Sequence, residues 1–398
     1  MPRIALFALL AMLACVLVQD ARGQDEAHLP GDPAGSTDWL NSVPSSPGGG
    51  WNGAAVTDNR ATCIGPFDWI GRCCPPLLYR TPLETTYVTV DAVAFRRDWA
   101  SNQWMATVGD PTTIALTTHD LEIVHQPGMR VVVGRWLDEC SAVEASFLGL
   151  LRWDQRSAVQ NEDTNALGTA GDLFSPFTYF GDPAEVGFDY NYYASIRLVS
   201  DFNNAELNLR HRMAMPPSCV SATALVGFRY INIDEQFSYL TESLEPVADG
   251  SLDTANVSTS NSLYGFQAGF SISMQFEPRF WIDLEAKFLL MRNGARQRSV
   301  YEFGPLAGPV ASTITGSRSQ GRATLGTDLA ITGQWQCTPH IIFRFGYQGI
   351  FLDGLALAAE NFTRNAPLMP MMVNDPTELD YEGHLAFHGP FGGVTVTW

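Results

Sequence analysis

The chain has 398 residues, of which 17% are charged, and its formal net charge is -18. That length suffices for a large core or a large barrel. Lys287 is the single lysine, and the acidic balance argues against nucleic acid and against a polybasic membrane-surface patch.

Arg3 precedes an apolar run from Ile4 to Val18, and Ala21-Arg22-Gly23 offers small residues for cleavage before Gln24. Residues 1–23 therefore read as a secretory signal peptide. The run is too short for a membrane anchor and is followed by Asp20. Cys15 lies inside the apolar core of the signal, a poor context for lipidation. No second apolar stretch approaches the length of a spanning helix, so any membrane span must be a closed barrel. Residues 24–86 are rich in Pro, Gly, Ser and Asp and carry Cys63, Cys73 and Cys74. They predict an irregular N-terminal segment.

Residues 87–398 predict an all-β fold, an up-and-down antiparallel transmembrane barrel of about 12 strands. Strands are expected near 87–96, 129–137, 142–153, 191–200, 204–211, 222–231, 235–241, 262–276, 280–291, 322–336, 339–352 and 381–398. Asp283, Glu285 and Lys287 alternate with Ile282, Leu284, Ala286 and Phe288, and similar alternation runs through 264–276, 324–335 and 343–348. Period two gives each strand one apolar and one polar face. A soluble sandwich also alternates. Strands of ten residues or more and an aromatic apolar face favour the barrel.

Connections alternate in length. Short turns are expected at Asp138–Ser141, Asp201–Asn203, Asn232–Asp234, Glu277–Arg279 and Cys337–Thr338. Long loops fall at Arg97–Gly128, Asp154–Tyr190, Arg212–Ser221, Glu242–Asn261, Arg292–Gly321 and Asp353–Asp380. Outer-membrane barrels have long extracellular loops and short periplasmic turns. Trp136, Tyr230, Phe276, Trp281, Trp335 and Trp398 are expected near the short turns. Trp153, Tyr192, Tyr264 and Tyr347 are expected toward the long loops.

The predicted lumen-lining set is Glu144, Arg197, Glu206, Arg210, Arg229, Asp283, Glu285, Lys287, Asp328 and Arg344. Opposed signs across a lumen build a constriction for small polar solutes, or a closed interior plugged by salt bridges. Both outcomes suit this size. The Asp154–Tyr190 loop is strongly acidic and would enrich cations at a mouth.

The chain ends on Gly393-Val394-Thr395-Val396-Thr397-Trp398. This resembles the C-terminal sorting signal of bacterial outer-membrane barrels, with Gly393, Val396 and Trp398 at the positions read by the barrel-assembly machinery. Phe391 stands where that pattern prefers a polar residue. Tyr87 to Arg97, Val131 to Arg135, Val143 to Leu150 and His388 to Gly393 together resemble the planctomycete outer-membrane porin family called beta-barrel porin seven. The resemblance covers about Thr86 to Trp398. It implies an outer-membrane location and a barrel, and brings no catalytic residues.

No phosphate loop, zinc-protease helix or serine-hydrolase elbow is present, and no cofactor is expected. His384 and His388 would lie roughly 13 Å apart along a strand, too far to share a metal ion. His119 and His125 fall in a long loop. His211 and Ser221 flank one connection, without an Asn or Asp placed to orient the histidine.

Six cysteines remain after the signal. Cys140 and Cys337 are expected on the short-turn rim and Cys219 on the opposite one. The disulfide candidates are Cys63, Cys73, Cys74, Cys140 and Cys337. One arrangement ties the N-terminal segment to Cys140 or Cys337 as a plug; the other pairs Cys63 locally with Cys73 or Cys74. The leading function is a narrow pore for small polar solutes or a structural envelope barrel in the outer membrane. The alternative is a secreted soluble β-domain that binds glycans or envelope polymers. A lipid-face hydrolase is a third class. Expected partners are outer-membrane lipids and the assembly machinery, with a homo-oligomer open.

Overall fold

In chain order the strands are β1 (Thr86–Arg97), β2 (Trp104–Val108), β3 (Ile114–Thr117), β4 (Gln126–Trp136), β5 (Ser141–Gln160), β6 (Leu173–Phe174), β7 (Asn191–Met213), β8 (Val220–Ser243), β9 (Leu252–Glu277), β10 (Phe280–Phe303), β11 (Ser312–Thr338), β12 (Ile341–Leu355) and β13 (Gly383–Thr397). Helix α1 (Ala358–Asn365) lies between the last two. The computed structural model describes residues 86–398 apart from 99–100, 139, 167, 169, 183, 185–187, 214–219, 244–251, 305–311 and 366–378. The expected signal peptide, residues 24–85 of the irregular segment, and Cys63, Cys73, Cys74 and Cys219 lie outside the described residues.

All thirteen strands join one antiparallel sheet, and ten of them form a closed wall in the order β1-β4-β5-β7-β8-β9-β10-β11-β12-β13. The ring closes where Val88 of β1 meets Val396 of β13. Thr86 and Trp398 exchange two backbone hydrogen bonds of 3.0 Å, so both ends of the wall share one rim. Closure pairs every edge, the condition for strands in lipid. β2, β3 and β6 extend the sheet from β7 at the other rim.

The strands are far longer than a bilayer needs. β10 has 24 residues and β11 has 27, whereas about 9–11 tilted residues span the hydrocarbon. The alternation explains the surplus, because it inverts part-way along each strand. On β10 the outward positions are Leu284, Phe288 and Leu290, then Arg292, Arg296 and Arg298. Its inward positions are Asp283, Glu285 and Lys287, then Leu289, Met291 and Tyr301. On β8 the buried inward residue Arg229 is followed by Ile231, Ile233 and Phe237. The short-turn half therefore has an apolar outside and a polar inside, as lipid demands. The long-loop half has a polar outside and an apolar core, as water demands.

This inversion accounts for the differences from the sequence expectation. Asp201–Asn203 and Asn232–Asp234 carry turn-like chemistry, yet β7 and β8 run straight through both. Phe202 and Ile233 are buried in the core there, while Asp201, Asn203 and Asp234 beside them point outward and are part-exposed. Two expected turns vanish, and the 12 spans drawn from sequence become ten wall strands. Met213 and Val220, the facing ends of β7 and β8, consequently stand on the short-turn rim. Arg292–Gly321, expected as a loop, is mostly paired strand from Arg292↔Ala323 to Phe303↔Ser312.

Aromatics belong to the lipid only where the outward face is apolar. Phe276, Trp335 and Trp398 are exposed at the short-turn end of the belt, and Tyr264 and Tyr347 at its other end. Tyr230 pairs with Tyr264 and belongs with that second group. Trp136 and Trp281 instead line the interior. Trp153 is fully buried, because a bulge at Leu148–Leu151 turns it inward. Its indole donates to the Val124 carbonyl at 3.2 Å.

Candidate functional site

The interior of the membrane-embedded half is the strongest concentration of unlike charges among the described residues. Eight wall strands, β1, β4, β5, β7, β8, β10, β11 and β12, each supply at least one inward charge. Period-two alternation delivers them to the inside, because the outward positions are taken by lipid-facing side chains.

Five carboxylates, of Asp91, Glu144, Glu206, Glu285 and Asp328, meet five cations, Arg130, Arg210, Arg229, Lys287 and Arg344. Lys287 Nζ lies 3.0 Å from Glu285, 3.1 Å from Glu206 and 3.7 Å from Asp328. Arg229 is fully buried; it donates to Asp328 Oδ2 and Asn204 Oδ1, both at 2.8 Å. Arg210 bridges Glu144 and Glu285, and Tyr87 donates to Glu144. Gln348 links Asp328 to Arg130, with bonds of 2.8 and 2.7 Å. Arg130 then grips Asp91 at 2.6–2.7 Å and lies 4.1 Å over the Phe391 ring. The result is one continuous cross-lumen network.

Nine of the ten expected lumen residues occupy this interior. Asp283 joins through Gln334, which donates to it. Arg197 is the correction. β7 has no turn at 201–203, so its even-numbered residues face inward along the whole strand and Arg197 faces out. It is exposed and pairs with Asp154 at 2.6 Å on the outer surface. Sequence reasoning missed Asp91 and Arg130. Asp91 continues the polar face of Tyr87 and Thr89, a signal that was present. Arg130 shares its face with Val132, which blurred it.

Below the network, toward the short-turn rim, lies a cavity of about 380 Å³. Tyr87, Trp136, Arg212, Ser221, Gln275 and Trp281 are among its lining. Above the network a packed apolar layer follows, including Phe95, Trp153, Phe202, Leu263 and Phe387. Next comes a buried ion pair, Arg97 with Glu235 at 2.9 Å. Glu235 also accepts from the Ala358 amide at 3.0 Å, at the start of α1. A carboxylate there complements the helix dipole. Asn261 and Asn293 hold the crossing chain by bonds to Ala356 and Gly354. Gly354 takes φ +73°, which glycine adopts without strain, as the chain bends inward. Last comes a second apolar core, with Phe362 of α1 against Phe177, Phe237, Tyr239 and Tyr301.

The remaining candidates do not assemble into one centre. His211 faces outward and contacts Ser141 at 3.2 Å, whereas Ser221 lines the cavity inside. His388 bonds the Tyr347 hydroxyl at 2.6 Å and lies 3.4 Å from Asp98; His384 is exposed elsewhere on β13. Cys140 is disulfide-bonded, and its partner lies outside the described residues. Cys337 is a free thiol, correcting its place among the disulfide candidates. It belongs to the β11–β12 end, separated from Cys140 around the rim by β1 and β13. Val220, the residue after Cys219, stands on the same rim as Cys140, because β7 and β8 are uninterrupted. Val396 and Trp398 face outward and are exposed. Gly393 packs so close to β1 that a Cβ would meet the Val90 carbonyl at 2.1 Å.

The beta barrel porin-7 (BBP7) family matches residues 92–389 of the chain. The chain belongs to that family. No curated protein matches it. Among solved structures it is similar to the outer membrane protease OmpT from Escherichia coli, at 10% identity and a TM-score of 0.45, covering 80% of this chain and 98% of that one. A Pseudomonas aeruginosa FadL homologue matches at 10% identity and a TM-score of 0.22, covering 79% and 90%. The CymD monoaromatic hydrocarbon channel matches at 8% identity and a TM-score of 0.21, covering 79% and 89%.

Proposed function

We propose that this family member is an outer-membrane barrel with a closed interior, serving as a structural envelope element and not as a solute pore. One observation carries the reading: the interior is filled by successive packed layers. The ionic network, the apolar layer around Phe202 and Phe387, the Arg97–Glu235 pair and the α1 core follow one another along the axis. Small polar solutes would have to break buried ion pairs and then cross an apolar layer. The cavity below the network is open to such solutes as a vestibule, and among the described residues the ionic network and the apolar layer stand above it.

The outward apolar belt favours this reading over a secreted soluble β-domain, which would bury those side chains. His211 and Ser221 face opposite sides of the wall, which supports a non-enzymatic role. The short turns and both wall ends fit the periplasmic side, and the long connections fit the outside. Gly393, Val396 and Trp398 are assigned to recognition by the assembly machinery. The test is single-channel recording of the refolded chain in a planar bilayer. Insertion without steady conductance is expected. A stable ohmic conductance would overturn the closed-barrel reading.

A further inference from the structure

We propose that the outer face of β9, β10 and β11, directly above the apolar belt, binds the phosphate-bearing headgroups of anionic membrane lipids. The inference rests on the membrane position argued above and goes beyond it by naming a lipid class and the residues that select it.

Arg292, Arg296 and Arg298 stand in one outward column on β10, and all three are exposed. Arg292 comes two residues after the exposed Leu290 and pairs in register with the exposed Tyr264. It therefore marks the level at which the belt gives way to headgroups. Arg296 lies roughly 13 Å further along the strand, and Arg298 roughly 7 Å beyond that. Their cross-strand neighbours are short hydroxyl side chains. Arg296 faces Ser260 and Ser319, and Arg298 faces Ser258 and Ser317. Gly321 leaves room for the Arg292 guanidinium, whose Nη2 would stand 3.1 Å from an added Cβ.

None of the three forms an ion pair among the described residues. At similar height on β5 and β7, Arg197 pairs with Asp154 at 2.6 Å and Arg152 with Asp201 at 3.7 Å. The chain carries a net charge of -18, so carboxylates are plentiful, yet none among the described residues pairs with the β10 column. A shallow groove of about 560 Å³ runs from Arg296 and Arg298 past Ser258 and Ser260. Asp201, Asp234 and Glu235 line its far end, and Glu235 pairs with Arg97 at 2.9 Å. Asp201 is held by Arg152, and Asp234 accepts from Ser260 at 2.6 Å and Asn232 at 2.8 Å. All three carboxylates are thus occupied, and the guanidinium end remains cationic. Guanidinium groups flanked by hydroxyl donors match phosphate oxygens, through bidentate charge-assisted hydrogen bonds.

The test uses the full chain refolded into phosphatidylcholine vesicles containing a minor share of spin-labelled phosphatidylglycerol. The measured quantity is the preference of the barrel for the labelled anionic lipid over labelled phosphatidylcholine. Wild type should prefer the anionic lipid. R292S/R296S/R298S should lose about fivefold of that preference for each arginine removed. R152S/R197S, which removes the paired arginines, should keep it. Retention of the preference in the triple variant, or its absence in wild type, would overturn the inference. Complete displacement by millimolar inorganic phosphate would also overturn it, since the site would then recognise a free anion. Flotation of the same vesicles after an alkaline wash tests the membrane reading separately. Loss of flotation sinks both readings, whereas flotation without lipid preference sinks this one alone.

Discussion

Replacing Arg229 with Met should be among the most damaging single changes in the wall. Arg229 is fully buried, and Glu206 and Asp328 both face it, at 3.6 and 2.8 Å. Without it, Lys287 becomes the nearest cation to both and must also serve Glu285. The network falls from five cations against five carboxylates to four against five. Removing one partner of a buried pair leaves an uncompensated charge and costs about 3–5 kcal/mol. Asp328→Asn added to Arg229→Met restores the charge balance, and Gln348 can still donate to the Asn carbonyl. The double variant should therefore recover about 1–3 kcal/mol relative to the sum of the single changes. Urea unfolding of the barrel in vesicles, followed by tryptophan emission, measures all three. Conductance should stay absent in each, because the apolar layer above the network is untouched. A cost below about 1 kcal/mol for Arg229→Met, or strict additivity in the pair, would refute a packed, charge-matched interior.

Other consequences are equally direct. Leu284, outward and exposed in the belt, should tolerate Arg poorly, at about 2–4 kcal/mol, whereas inward Asp283→Asn should cost far less; equal costs in the same urea assay would mean the faces are reversed. Asp253 lies on β9 well beyond the belt, where burial raises its pKa from 3.8 to about 7. The folded state then binds the proton more tightly, so stability is fully present near pH 4 and falls by up to about 4 kcal/mol as pH rises to 7. Asp253→Asn should flatten that dependence while keeping an acceptor for the Gly304 amide, and urea midpoints between pH 4.5 and 8 will reveal it. Non-reducing peptide mapping should recover Cys140 in a bridge and Cys337 as a thiol; alkylation of Cys140 without reduction would contradict this.

What the sequence determined by itself was local. A strand exposes its two faces to two media, and alternate side chains record those media directly. The barrel class, the belt residues Leu284, Phe288 and Ile331, and nine inward charges were legible on that ground. So were the short turns near Asp138–Ser141, Glu277–Arg279 and Cys337–Thr338. What tertiary structure decided was where each medium ends and which side chains meet. At Asp201–Asn203 and Asn232–Asp234 the wall passes from lipid into water, and polar outward residues there imitate turns. Only the pairing of β7 with β5 and β8 distinguishes the two, and that error reversed Arg197 and put the ends of β7 and β8 at Met213 and Val220 on the wrong rim. The network has the same origin. Glu206, Arg229, Lys287 and Asp328 come from four strands, and nothing local encodes their meeting. Whether opposed charges leave a channel or close it depends on ring size, on register and on Phe202, Phe387 and α1 filling the space above. Those distances are set by closure of the whole ring, a non-local constraint that no single strand carries.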